Sequence, residues 1–548
     1  MEKMSNILHE LTKWSLLFFV FMLIWVVFLM YDFNKNAKST SFVASLPLLG
    51  HLWLSLLLVI TSNIANHHHD PWRVWFIFLL IFRYYKTIIN IFFLFRYKRA
   101  TEIGNLTPSS KDVTVIIPTV GPKGNELFKD MVHGIIRNKP GRIVFSAINH
   151  GVQKELEEKI PIILEDFRND KDPEYQDWRA IRNNIHYVNA KVANKRAQIV
   201  SASKLKGTKN FRITAMVDDS AIWPPGFLEN TLPAFTDEKV GFVGTRKWVK
   251  HPQPPPYDRT IPFHRCIWNY YVSGFWNTIG GIYLIRHNFE ARATNAADGG
   301  IFTVSGRTAL IRTSIIRDSK FRYKFKNEYL ARGWIPGKPD GIGPVKPDDD
   351  NFITRWVINH GMDIKFQYSE ETTITTSLGT LGAKKFIPQC MRWSRTTMRQ
   401  NPIALFIDRT IWWKWPITVW TTYLPWLYNA ALIWDPLMVY FLTSTQHYKN
   451  SEHPEISLVC MIGFIWATKL IKTVAWFEKH PKDFFLYFFP IPAYPLFAYF
   501  HSLLKLWSML TWWDISWSGR DDIKNGGAEA EPESESEDED EDEDDKTK

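Results

Sequence analysis

Apolar residues crowd the two ends of this chain and leave a long middle of ordinary soluble composition. That segregation constrains the fold more than any single motif, because apolar runs of this length must be buried in lipid or against one another. Residues 14–30 are apolar but for Ser15, close to the roughly 20 residues a helix needs to cross a bilayer. Residues 42–64 form a second run, with Gly50 and His51 inside it, and residues 72–95 a third, interrupted by Arg83-Tyr84-Tyr85-Lys86. The third fits either a span or an amphipathic helix lying in the interface. No small-residue cleavage site follows the first run, so it reads as an anchor rather than a removed leader. Lys35 and Lys38 follow the first run and Arg96, Lys98 and Arg99 the third, while the loop between the second and third has no Lys or Arg. The positive-inside rule then places the N-terminus outside and the middle of the chain in the cytoplasm.

Beyond residue 400 the apolar character returns. Residues 401–416 mix apolar, aromatic and basic side chains, as an interfacial helix does. Residues 417–443 and 456–471 read as spans, and residues 483–510 are apolar and aromatic but carry Pro490, Pro492 and Pro495. The tail after Asn525 is low-complexity acid and is expected to be disordered. It distorts the overall charge of +10. Residues 529–545 hold 13 acids, and 66 Lys and Arg against the other 43 acids leave the rest at +23. A basic body suits anionic lipid or an anionic substrate; no nucleic-acid motif accompanies it, so nucleic acid is not an expected partner. Three scattered cysteines, Cys266, Cys390 and Cys460, are too few for a disulfide framework or a zinc site and fit a reducing compartment.

The middle reads as an α/β domain. Residues 113–118 (VTVIIP), 142–148 (RIVFSAI) and 212–217 (RITAMV) are short β-branched runs of the kind found in buried parallel strands. A helical stretch at 154–167 precedes a further strand near 186–188. Ligands in such sheets bind at the carboxyl ends of the strands, and Thr119, Asn149 and Asp218 stand at or just beyond three of these ends.

Four groups of residues carry candidate chemistry. Asp218-Asp219-Ser220 closes a buried strand; two carboxylates there can hold a hard divalent ion on a nucleotide diphosphate, although the same residues also make turns and caps. Asp348, Asp349 and Asp350 precede a helix. Capping accounts for one or two of them, whereas three adjacent carboxylates repel and raise the pKa of at least one, as a general base requires; a solvated acidic loop is the bland alternative. Lys195-Arg196 at the start of a probable helix suits phosphate or is a solvated charge pair. Asp298-Gly299-Gly300 and Ser305-Gly306-Arg307 allow close backbone approach or simply turn the chain. Gln389-x-x-Arg392-Trp393 offers an amide, a guanidinium and an indole at helical spacing, suited to a sugar's apolar face and hydroxyls, or to a membrane-interface belt.

In this order and spacing, between apolar ends, the residues resemble the processive, inverting membrane glycosyltransferases that include the cellulose, chitin and hyaluronan synthases. The likeness is greatest to hyaluronan-synthase-like enzymes and their fungal relatives, with Trp513-Asp514-Ile515 and Trp517-Ser518-Gly519-Arg520 resembling their W-D-I and W-G-T-R elements. The resemblance covers roughly residues 110–520. It implies a Rossmann-like (GT-A type) α/β cytoplasmic catalytic domain inserted between α-helical transmembrane segments. Residues 1–100 would carry the N-terminal spans, 101–400 the catalytic domain, 401–520 interface helices, spans and a gating-loop-like element, and 521–548 the acidic tail. The substrates implied are a nucleotide sugar, a UDP-sugar above all, and a growing glycan acceptor, with Mg²⁺ or Mn²⁺ as cofactor.

By that resemblance Asp218, Asp219 and Ser220 hold the metal, and Asp350, or Asp349 one residue away, is the base. Thr119, Asn149, Lys195, Arg196, Asp218, Asp219, Trp517 and Arg520 bind the nucleotide, and Gly299, Gly300, Gln389, Arg392 and Trp393 shape the acceptor site. Ser220 departs from the usual D-x-D metal motif, Asn149 from the expected Asp after the second strand, and Asp-Asp-Asp from the usual Gly-Asp-Asp or Glu-Asp base motif. Keeping Arg520 and the tail in the cytoplasm requires residues 483–510 to form a broken, re-entrant or interfacial hairpin. The implied location is the plasma membrane, with a pore that is small or is completed in a homo-oligomer. A non-processive transfer to a lipid acceptor, and a catalytically degenerate scaffold subunit supported by Ser220, are the alternative functions.

Overall fold

The computed structural model describes residues 70–102, 107–169, 183–251, 260–333, 339–380 and 382–516. The expected spans at 14–30 and 42–64, Trp517, Arg520 and the acidic tail lie outside these residues.

Nine strands are described: β1 (Val113–Thr119), β2 (Arg142–Ala147), β3 (Ile185–Asn189), β4 (Ile213–Val217), β5 (Val240–Thr245), β6 (Lys247–Val249), β7 (Thr308–Arg312), β8 (Asp363–Gln367) and β9 (Ile374–Thr376). Seven form a mixed sheet in the order β3-β2-β1-β4-β7-β5-β8, and β6 and β9 pair separately. β7 runs antiparallel to both of its neighbours and the remaining pairs are parallel. Strand side chains alternate between faces, and β1 divides accordingly. Val113, Val115 and Ile117 join one core with helices α1 (Phe128–Arg137) and α2 (His150–Asn169). Ile116 joins the opposite core with α3 (Lys195–Ser203) and, further along the chain, α5 (Asp349–Asn359). Between these two helices in sequence runs α4 (Phe263–Asp298), 36 residues long.

The helix α6 (Ala383–Pro402) carries Gln389, Arg392 and Trp393. Residues 401–416, expected as one interfacial helix, are instead split into a π-helical turn (Ile403–Asp408) and a short helix (Ile411–Lys414). Leu405, Ile411, Trp412 and Trp415 are buried in the core beneath the sheet. The expected span at 417–443 is also broken, because Asn429 ends the turns before it and only Ala431–Ser444 continues as α7. α8 (Pro454–Ile471) follows, and 483–510 divides into a short helix (Pro481–Tyr487) and α9 (Ala493–Leu510), with Pro490 and Pro492 in the break. Preceding the sheet domain, Pro71–Leu94 is one helix capped by Asp70 and is called αN. Among the described residues αN and α8 are long and apolar enough to cross a membrane.

Candidate active site

The antiparallel strand β7 assembles the site. Its register pairs Val217 with Thr308, so the residues just after β4 face those just before β7. The Asp218 amide donates to the Arg307 carbonyl at 2.8 Å. The first turn of α5 closes on the same loop. Val304 N–H donates to Thr354 Oγ1 at 3.3 Å, and Gly306 N–H donates to Asp350 Oδ2 at 3.3 Å. α3 brings Lys195 in from the opposite side. Its Nζ donates to Gly306 O at 2.8 Å and lies 2.8 Å from Asp218 Oδ1 and 3.0 Å from Asp349 Oδ2. A Cβ on Gly306 would lie 3.2 Å from Lys195 Nζ and 3.3 Å from Asp349 Oδ2, so this meeting point has room for glycine alone without displacement.

The three adjacent aspartates have separate environments. Asp348 turns inward from a left-handed backbone (φ 67°). Its carboxylate accepts from Arg399 Nε and a terminal Arg399 nitrogen, both at 2.9 Å, and from the Thr396 hydroxyl. Burial works against its charge, but Arg399 holds its pKa below the usual carboxylate range. Burial also opposes the charge of Asp349, and Lys195 holds it low. Among the described residues Asp350 has no cation at ion-pair distance, although Lys195 acts on it from further off. Burial and then the neighbouring Asp349 charge push it up to about 6.

The other expected site residues are placed variously. Thr119 is buried at the end of β1, where its hydroxyl donates to Asp219 Oδ2 at 2.8 Å. Asn149 is exposed and caps α2, accepting from Val152 N–H at 2.9 Å. Lys195 differs from a phosphate ligand in that its ammonium's three donors already face three protein oxygens. Burial disfavours its charge, but Asp218 and Asp349 more than compensate and raise its pKa. Arg196 is also placed differently from expectation. It is fully buried, donates to Glu328 Oε2 at 2.8 Å and to Phe325 O at 2.9 Å, and lies over the Phe325 and Phe352 rings. Its guanidinium locks the domain and does not face the cleft. Gly299 and Gly300 form the turn that stops α4. A Cβ on Gly300 would lie 2.1 Å from Thr418 Oγ1, and Asp298 ties the turn to Thr418. Gly300 packs against residue 418 there, while a Cβ on Gly299 would meet open space.

Gln389, Arg392 and Trp393 share a face of α6. Trp393 contacts Tyr283 (centroids 5.1 Å apart) and carries Arg307 over its ring at 5.3 Å. Arg392 acts electrostatically on both Arg307 and Asp349. Three contributors escape sequence reasoning. Gln198 ties two strand ends by donating to Thr119 O (2.9 Å) and Ser146 O (2.6 Å). Arg399 joins Asp348 to the W-D-I stretch by donating to the carbonyls of Trp512 and Asp514, both at 2.9 Å. Lys247 lies 2.7 Å from His287 Nδ1, and burial and Arg307 hold it down at about 7. Only Arg399 leaves a trace in sequence, as a cation two turns beyond Arg392.

The donor set at 218–220 is all oxygen, the chemistry that Mg²⁺ and Mn²⁺ require. Among the described residues no three acidic, His or Cys side chains cluster as a metal cage. The arrangement fits a hard ion held by one or two carboxylates together with substrate phosphates, and Lys195 is the cation that such an ion would meet at Asp218.

Residues 111–396 match the family model described as glycosyltransferase like family 2. The chain is 30% identical over 458 residues to a type 2 glycosyltransferase of Zymoseptoria tritici, covering 82% of this chain and 84% of that one. A type 2 glycosyltransferase of Gibberella zeae is also 30% identical over 458 residues, covering 82% and 76%. An NDP-glycosyltransferase, ltbB, of Aspergillus luteorubrus is 24% identical over 354 residues, covering 60% and 75%. Among solved structures, the mannosyltransferase PcManGT from Pyrobaculum calidifontis in complex with GDP-Man and Mn²⁺ aligns over 79% of this chain and 97% of its own at 13% identity, with a TM-score of 0.38.

Proposed function

The chain belongs to the glycosyltransferase-like family 2, and from that premise we propose a membrane-embedded inverting transferase. It moves a sugar from a nucleotide donor, a UDP-sugar, to the hydroxyl of a growing glycan and translocates the product across the bilayer. Family membership makes it a nucleotide-sugar-dependent glycosyltransferase; the acceptor, processivity and membrane passage are our reading.

The observation that carries the catalytic reading is the split between Asp349 and Asp350. Two adjacent half-buried carboxylates whose environments push their pKa values apart are a signature of assigned acid–base roles. Asp349 is neutralised by Lys195, and Asp350 is left at about 6. Asp350 takes the proton of the acceptor hydroxyl as that oxygen bonds to the anomeric carbon; the bond from that carbon to the diphosphate breaks, and configuration inverts. Lys195 is a positioning residue, holding Asp218, Asp349 and the Gly306 loop together. Asp218 and Asp219, with Ser220, would hold Mg²⁺ or Mn²⁺, which when bound offsets charge on the leaving diphosphate. Trp393, with Arg307 across its ring, presents an apolar face to the acceptor sugar.

Membrane placement draws on αN and α8, whose most apolar windows are only 17% and 11% buried. The core helix of a soluble domain would be mostly buried. Ile81, Ile88 and Phe92 of αN, Val459 of α8 and Leu503 and Trp507 of α9 stand exposed, an apolar surface suited to lipid. The test is nucleotide release by the full chain with Mg²⁺ or Mn²⁺ and a panel of UDP-sugars, beside Asp350→Asn. Release with one or two sugars, lost in the variant, supports the reading. Equal release from both proteins removes Asp350 as the base.

A further inference from the structure

A cavity of about 130 Å³ lies among αN, α4, α8, α9 and the break at Asn429. Six cationic side chains line it: Arg83, Lys86, Arg286, Lys469, Lys472 and Lys505. Among the described residues two carboxylates answer them. Asp435 pairs with Arg83 and Lys469, and Glu290 pairs with Lys472 at 2.6 Å. Lys505 Nζ donates to Asn429 O at 3.2 Å. Lys86 is only 8% exposed and has no hydrogen bond or ion pair among the described residues. His501, which also lines the cavity, has a buried Nε2 without a hydrogen-bond partner among the described residues. Six cations against two acids, on helices with lipid-suited faces, are costly without a counter-charge.

We propose that this chamber is a second ligand site that holds a phosphate group, carried either by a membrane lipid or by a free solute. The size agrees: a cavity of roughly 150 Å³ takes a single benzene ring, so this one takes a phosphate or diphosphate, not a length of polymer. The charge agrees as well. A phosphate monoester carries about −1.5 to −2 with three acceptor oxygens, a closer match to the excess of cations than a lone carboxylate. The chamber adjoins the acceptor side of the cleft, because Tyr283 lines it and also contacts both Trp393 and His501. As an acceptor-anchoring site it rests on the transferase reading; as a phosphate site it does not.

The test uses the full chain in phosphatidylcholine nanodiscs, with phosphatidic acid as the lipid probe and inorganic pyrophosphate as the soluble one. Retained lipid is read by native mass spectrometry. Wild type is expected to retain phosphatidic acid over phosphatidylcholine, and Lys86→Gln to weaken that retention by about tenfold. Glu290→Gln, which removes a competing acid, should tighten it. Two variants with opposite shifts exclude simple misfolding as the cause. Pyrophosphate that displaces the lipid, or that binds wild type when no acidic lipid does, supports the site and names the soluble source, provided Lys86→Gln weakens it too. Equal retention of acidic and neutral lipid with no pyrophosphate binding, or affinities that ignore Lys86→Gln, would overturn the proposal. UDP binding at the cleft, measured alongside, reports on the donor site independently.

Discussion

The catalytic cleft and the helix chamber both bury cations, and they treat them in opposite ways. In the cleft the cations that meet the three adjacent aspartates are matched. Lys195 meets Asp218 and Asp349, and Arg399 meets Asp348. Those cations order the protein, and of the three adjacent aspartates Asp350 is the one without an ion-pair partner among the described residues. In the chamber the cations outnumber the acids, and Lys86 has no hydrogen bond or ion pair among the described residues. Matched charge builds a frame, whereas unmatched charge is left for a ligand.

The largest expected effect breaks the cleft's side of this contrast. Asp350→Asn should lower turnover by roughly 10³-fold with UDP affinity retained, measured by nucleotide release and by direct titration. Next, Arg399→Ala leaves the buried Asp348 charge unpaired and should cost about 3–5 kcal/mol of stability, read as a lowered unfolding temperature. A smaller loss, about tenfold in turnover with little change in stability, is expected of Gly306→Ala, whose new Cβ presses on Lys195 and Asp349. Smallest of all, Lys86→Gln should change the unfolding temperature by the equivalent of less than about 1 kcal/mol, because it strands no partner. A large loss there would make Lys86 a structural cation like Arg399 and erase the distinction between the two regions.

The sheet's parallel half was legible because its strands are continuous β-branched runs bounded by turns; β1, β2, β3 and β4 coincide with such runs to within one or two residues. The other half was not. β5 reads VGFVGT, with glycines that obscure a strand, and β6 and β9 are three residues each. α4 escaped because its early turns are aromatic, β-branched and glycine-bearing, poor in intrinsic helix propensity; packing in the core with α6 and Trp476 is what holds it. At the site, the type and order of residues were legible and their partners were not. Nothing in the string Lys195-Arg196 distinguishes the residue that joins the carboxylates from the one buried under Phe325 and Phe352. Likewise, the Asp-Asp-Asp run hides that Asp348 belongs to Arg399, a pairing made across 51 residues by tertiary contact.

Whether Asp350 is the base because Asp349 is neutralised and Asp350 is not can be read from the pH dependence of nucleotide release at saturating donor. A base must be deprotonated to act, so with its pKa raised to about 6 the rate should level off above that pH and fall about tenfold per unit below it. In Asp349→Gln the like charge is gone, and the acid limb should move to lower pH. A rate that stays flat down to about pH 4.5, close to the ordinary carboxylate range, or an acid limb that Asp349→Gln leaves in place, would contradict the account.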